Sequence, residues 1–188
     1  MSRFAAALAA ALALALALAL APLSPAARAA APAQAAQAAP EFTHSAPAAW
    51  LNSAPLTLQS LRGQVVLLDV WTTDCWNCYR SFAWLRSVER RHGAQGLHII
   101  TVHSPEFERE KDRRGILARL AQHELGGTVV MLDDDFSYWK ALGNRYWPAF
   151  YLIDRQGRIR HRLVGEQHEG QPGAVQFEAT LRELIAER

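Results

Sequence analysis

The chain has 188 residues, half of them apolar and a fifth charged, a composition that excludes collagen, a coiled coil, a disulfide-rich miniprotein and a wholly disordered chain. Its formal charge of +2 comes from 20 basic and 18 acidic residues, and the first acidic residue is Glu41. Setting aside Arg3 and Arg28 leaves the rest of the chain balanced, so no basic face for nucleic acid is implied.

The chain opens with Arg3, the apolar stretch Phe4 to Ala21, the helix breakers Pro22 and Pro25, and Ala27-Arg28-Ala29. This is the order of a secretory signal cleaved after Ala29, so residues 1–29 are expected to direct the protein to the periplasm or otherwise out of the cytoplasm. An uncleaved membrane anchor is the alternative, because an apolar run of about 18 residues approaches the length that spans a bilayer. No cysteine stands near positions 20 to 30, which excludes lipid attachment to an amino-terminal cysteine. Residues 30–54 are dominated by Ala, Pro and Gln and read as a linker too poor in bulky side chains to pack. Residues 55–188 then form one domain, long enough to bury about two-thirds of its unfolded surface without a disulfide framework.

Val65 to Trp71 is a continuous apolar and β-branched run after Arg62-Gly63, the pattern of a central strand buried on both faces. Cys75 to Arg91 carries apolar residues at helical spacing and ends in Arg90, Arg91 and His92, cations suited to a helix carboxyl terminus. Leu97 to His103 is a second strand, Glu108 to Glu124 a helix, Thr128 to Leu132 a third strand, and Asp135 to Leu142 a short helix stopped by Gly143. Ala149 to Ile153 and Arg158 to Val164 are strands joined by the turn Asp154-Arg155-Gln156-Gly157, and an amphipathic helix follows from Ala174 to Glu187. The order predicts a three-layer α/β domain whose sheet is parallel early and antiparallel late. The charges at Arg109 to Arg114, interleaved with Glu110 and Asp112, and at Arg158 to Arg162 read as solvated faces.

Cys75-Trp76-Asn77-Cys78 is the chain's whole cysteine content, placed where the central strand gives way to a helix. Free backbone N–H groups and the helix dipole there favour a thiolate at Cys75, so its pKa should fall below the free value of about 8.5. Cys78, one turn on, should be more buried and able to close a disulfide or attack a mixed one. The other readings are a structural disulfide, which over four residues constrains the unfolded chain little, a metal site, and free structural thiols. A closed zinc site needs four ligands, and His103 is the histidine placed to join the pair.

Leu68 to Cys78, with Asp69 six positions and Trp71 four positions before Cys75, resembles the active-site segment of thioredoxin-fold proteins. Tyr146-Trp147-Pro148-Ala149 is similar to that family's cis-proline loop, and the extra helix at Glu108 to Glu124 to the central insertion of the TlpA-like exported branch. More narrowly, Val102-His103-Ser104-Pro105-Glu106-Phe107, the segment Gly143 to Ala149, Tyr151-Leu152-Ile153-Asp154 and Gly157 to His161 resemble the carboxyl-terminal thioredoxin domain of DipZ proteins. The likeness covers about Leu56 to Val164. It implies a three-layer thioredoxin-like fold, with a mixed central sheet and a TlpA-type helical insertion. It also implies that Cys75 attacks, that Cys78 resolves, and that Pro148 is a cis-proline offering backbone to an extended substrate. Asp69 would be the buried carboxylate that takes the Cys78 proton, its pKa raised by burial.

Trp76 and Trp147, with Trp71, would form an apolar platform that excludes water and grips a partner, although core packing explains Trp71 equally well. Asp74, beside Cys75, opposes the thiolate weakly, and His103 and Glu106 are softer candidates. The expected function is a periplasmic thiol-disulfide oxidoreductase that reduces disulfide-containing client proteins, with the Cys75–Cys78 disulfide as its redox group and no other cofactor. The polytopic membrane domain of DipZ proteins is not part of this sequence, so electrons would come from a membrane donor of the thiol-transporter type. The Trp-Asn dipeptide departs from the Gly-Pro of thioredoxin, which leaves the potential open. The alternatives are a copper or zinc carrier using Cys75, Cys78 and His103, and a passive interaction module.

Overall fold

The computed structural model describes residues 37–187. The expected signal segment and the first part of the expected linker lie outside them. The strands are β1 (Gln37–Ala38), β2 (Trp50–Leu51), β3 (Val65–Trp71), β4 (Leu97–His103), β5 (Val129–Leu132), β6 (Ala149–Ile153) and β7 (Arg158–Val164). The helices are α1 (Trp76–His92), α2 (Arg113–Gln122), α3 (Ser137–Ala141) and α4 (Pro172–Ala186). One sheet holds all seven strands in the order β1-β7-β6-β3-β4-β5-β2, with β3, β4 and β5 parallel and every other pair antiparallel.

All seven residues of β3 are buried, as a central strand between two covered faces requires. Alternation along it divides the core. Val65, Leu67 and Trp71 join Phe82, Leu85 and Val88 of α1, Ile116 and Leu120 of α2, and Phe177 and Leu181 of α4. Val66, Leu68 and Val70 meet Phe42, Trp50, Leu58 and Leu61 from the amino-terminal segment, and Tyr138 of α3. The molecule is thus the expected three-layer thioredoxin-like arrangement, with a mixed open sheet between two covers.

The second cover corrects the expected linker. From residue 37 the segment is packed: Gln37–Ala38 pairs with β7, Trp50–Leu51 pairs with β5, and Phe42 and Trp50 meet edge to face at 5.4 Å. Phe42 and Trp50 are 7% and 4% exposed, and Trp50 Nε1 donates to the His44 carbonyl at 2.8 Å. An average over Ala and Pro hides two aromatic rings, and two rings are enough to anchor a short segment. The folded unit therefore includes residues from 37, ahead of the expected boundary at 55.

The expected helix over 108–124 is two elements. A 3-10 turn, Glu108–Lys111, ends at Asp112, whose extended backbone (φ −69°, ψ 108°) and carboxylate cap α2 by accepting from the Arg114 and Gly115 amides. The Asp154–Gly157 turn forms as expected, with Gly157 at φ +73°, a conformation that favours glycine, and the Arg62 guanidinium lying close beside it.

Candidate active site

Strand β3 ends at Trp71, a three-residue loop follows, and Cys75 stands at the N-cap of α1 in extended conformation. Its sulfur accepts the Cys78 backbone N–H at 3.1 Å, the bond by which a capping side chain satisfies an otherwise orphaned helix amide. Cys75 and Cys78 form a disulfide with Cα atoms 5.3 Å apart. Cys78 is fully buried in the core cluster, whereas Cys75 is half-buried at its margin. Only the outer sulfur is open to an incoming group.

Pro148 sits against the same end of β3, because Ala149 is paired with Val70. The Trp147–Pro148 peptide is cis, and Pro148 is buried. Side chains fix this loop: Asn144 accepts the Tyr151 hydroxyl at 2.8 Å and donates to the Tyr146 carbonyl at 3.1 Å. Trp147 is half-buried, packs on Trp139 with ring centroids 4.3 Å apart, and donates from Nε1 to the Ser104 carbonyl at 3.1 Å. Trp76, between the cysteines, is 69% exposed, the most solvent-open of the large apolar side chains among the described residues. Trp71 differs from both: it is fully buried against Phe82 and His103 at 5.4 and 5.1 Å, a core position with no free face for a partner.

Asp69 is fully buried on the face of β3 that carries Leu67 and Trp71, the face covered by α1 and Cys78. Neither carboxylate oxygen has a hydrogen-bond partner among the described residues, and burial pushes its pKa up to about 8. His103, paired with Trp71 at the end of β4, is buried too, and burial pushes its pKa down to about 4. Its two ring nitrogens are likewise unpartnered among the described residues. Glu106 is exposed and takes no part in this arrangement.

Sequence reasoning missed two features. The first is Glu110, counted with a solvated face but buried in the structure, where its carboxylate meets Thr72 and Asp74 in the loop before Cys75. Arg109 from the same cluster is not simply solvated either, since it pairs with Asp74 at 2.6 Å. The spacing Phe107-x-x-Glu110, in which the acid reaches back to the Phe107 amide, was the one local signal available. The second is a groove of about 560 Å³ beside Trp76, between the start of α1 and α2, lined by Tyr79, Arg80, Arg119 and His123. His123 stacks on Tyr79 at 5.1 Å, and the Arg119 guanidinium lies 4.7 Å from the Tyr79 ring centre. Among the described residues the cluster with metal-ligand spacing is His44, Asp133 and Asp135, which includes neither cysteine nor His103.

The Redoxin family model matches residues 34–177. Protein DipZ of Mycobacterium bovis is 40% identical over 120 residues, covering 62% of this chain and 17% of the relative, so the likeness concerns a small part of that longer protein. Thiol-disulfide oxidoreductase YkuV of Bacillus subtilis is 26% identical over 151 residues, covering 80% of this chain and 96% of the relative. Among solved structures, a thiol-disulfide isomerase of Corynebacterium glutamicum superposes with a TM-score of 0.63 at 21% identity, covering 80% of this chain and 98% of that one, an agreement of fold. With the family match spanning nearly the whole folded unit, the chain belongs to the Redoxin family and has its thioredoxin-like fold.

Proposed function

We propose that the protein works outside the cytoplasm as a reductant of disulfides in client proteins, with Cys75 as the attacking sulfur. The observation that carries this reading is the asymmetry of the pair: Cys75 is reachable and caps a helix, while Cys78 is sealed on the face of the sheet that holds the unpartnered Asp69 carboxyl. In the reduced protein the Cys75 thiolate attacks a client sulfur, forming a mixed disulfide and releasing the other client sulfur as a thiolate. Cys78 then gives its proton to Asp69 in its ionised form, a minor fraction near pH 7 that grows as pH approaches 8, and its sulfur attacks Cys75 Sγ. The client leaves with two added electrons, and the Cys75–Cys78 disulfide remains. Burial makes Asp69 a stronger base than a surface carboxylate, matched to a thiol near neutral pH. The exposed Trp76 and the Trp147–Pro148 edge provide an apolar rim and backbone for an extended client segment.

A reductant must be recharged, and a membrane donor of the thiol-transporter type fits a protein bearing the amino-terminal pattern of residues 1–29. No helix among the described residues is long and apolar enough to cross a membrane.

Equilibration of the whole protein against glutathione or dithiothreitol buffers, followed by tryptophan fluorescence, tests the direction. A potential near or below about −250 mV is expected, and one near about −120 mV would make the protein an oxidant. Cys75→Ser should abolish reductase turnover. Stoichiometric copper or zinc retention by the reduced protein, lost on His103→Ala, would instead establish the metal carrier.

A further inference from the structure

Glu110 differs from the other acids at this end of the molecule. It is buried in the 3-10 turn that opens the insertion, and its carboxylate is aimed at the loop preceding Cys75. Oε1 accepts from Thr72 Oγ1 and from the Asp74 backbone N–H, each at 2.8 Å, and Oε2 accepts the Phe107 N–H at 2.6 Å. The two backbone N–H bonds are as short as charge-assisted bonds to a carboxylate, and the Thr72 hydroxyl bond is of ordinary length. The Asp74 amide, one residue before Cys75, is thereby engaged by Glu110 and withheld from a thiolate. A negative charge is also held beside the loop where water screens it poorly.

On the reading that Cys75 is the attacking thiol, we infer that Glu110 is a positioning residue that fixes the approach to Cys75 and, through its charge, holds the Cys75–Cys78 pair at the reducing end of its range. Reduction breaks the S–S bond and adds two electrons, supplied in the test below by glutathione. Cys78 takes up one proton and Cys75 remains a thiolate, so one negative charge appears at Cys75 Sγ. A carboxylate nearby disfavours that product, favours the disulfide, and makes the reduced pair a better donor.

The other ionisable groups around Cys75 do not offer the same effect. Asp74 is neutralised by Arg109 at 2.6 Å, and Arg80 of α1 is paired with Glu166 at 3.0 Å. Across the groove, Arg119 lies over Tyr79, and burial together with Arg119 and Arg86 holds the His123 pKa down. Asp69 and His103, from the sheet, are both neutral near pH 7, the acid by its raised pKa and the imidazole by its lowered one.

The test uses the whole protein and two variants of opposite sense. Glu110→Gln removes the charge but keeps an oxygen that can accept from Thr72 and Asp74. Cys75 should then alkylate with a lower pKa, and the equilibrium constant for oxidation by glutathione disulfide should fall about tenfold, a rise of about 30 mV. Thr72→Val keeps the charge and removes one of its three donors, so the Cys75 pKa should rise. A tether with only a structural role would loosen the same loop in both variants and move both pKa values the same way. Shifts of one sign, or no shift in Glu110→Gln, overturn the inference. Should Glu110→Gln fail to fold, Thr72→Val decides alone, a raised pKa supporting the inference and an unchanged one refuting it. Persistence of client reduction in Cys75→Ser would refute the functional reading instead, which these equilibrium measurements do not test.

Discussion

Asp69 and His103 lie on one face of adjacent strands and prefer opposite protonation from their unfolded forms. Asp69, raised from 3.8 to about 8, holds a proton in the native state that the unfolded chain loses above pH 4. Its contribution to stability therefore falls as pH rises from about 4 to about 8. His103, lowered from 6.5 to about 4, is neutral in the native state while the unfolded chain is charged below pH 6.5. Its contribution is present above pH 6.5 and is lost as pH falls toward 4. Each slope is about 1.4 kcal/mol per pH unit with opposite sign, so the two cancel between about pH 4 and 6.5 and leave a decline above it. Urea denaturation across pH should expose them singly. Asp69→Asn should abolish the decline that Asp69 imposes on the stability of the oxidised protein between about pH 4 and 8, while slowing resolution of the mixed disulfide. In His103→Phe the stability should instead fall continuously from pH 4 to pH 8. A pH profile unchanged by either substitution would contradict the burial argument.

The elements best legible in the sequence were those whose signal is local. Strands β3, β4, β6 and β7 follow their apolar or alternating runs to the residue, because turn residues bound each one. Helix ends were less legible, since their caps depend on which side chain reaches back. Asp112 splits the insertion, and Asp133, four residues ahead of α3, accepts the Tyr138 and Trp139 amides at 2.9 Å and the Ser104 hydroxyl at 2.9 Å. The two caps differ in burial, and their cost should differ accordingly. Asp133→Ala leaves these three donors without their acceptor, also removes the 3.2 Å contact with His44 Nε2, and should cost about 2–4 kcal/mol in urea titration. Asp112→Ala, at an exposed cap, should cost about 1 kcal/mol. Because Trp139 packs against Trp147, the first substitution should also change tryptophan emission beside the cis-proline loop, and the second should not. Glu110's place beside Cys75 was illegible for a related reason: apart from the Phe107 amide, its partners lie 36 and 38 residues away, so no window of sequence contains both ends of either bond.

At the scale of the whole molecule, residues 37–61 contribute Phe42, Trp50, Leu58 and Leu61 to the second core cluster, so they cover a sheet face and do not trail from it. Trp50→Ala should cost about 3–5 kcal/mol, the range for deleting a large buried aromatic. A chain beginning at residue 55 should be less stable still in thermal melting. Composition concealed this, because the segment averages as linker while its few large side chains do the packing.

The same segment supplies both outer strands: β1 closes the sheet along β7, and β2 closes it along β5. Proteolysis just after Trp50–Leu51 would therefore uncover two opposite sheet margins at once. A margin of β7 meeting a margin of β5 on another copy leaves one of each kind free at the ends, so the joint is head-to-tail and can add further copies. Such a clipped protein should assemble head to tail into species whose size rises with concentration, which light scattering would register while the Cys75–Cys78 pair is still intact.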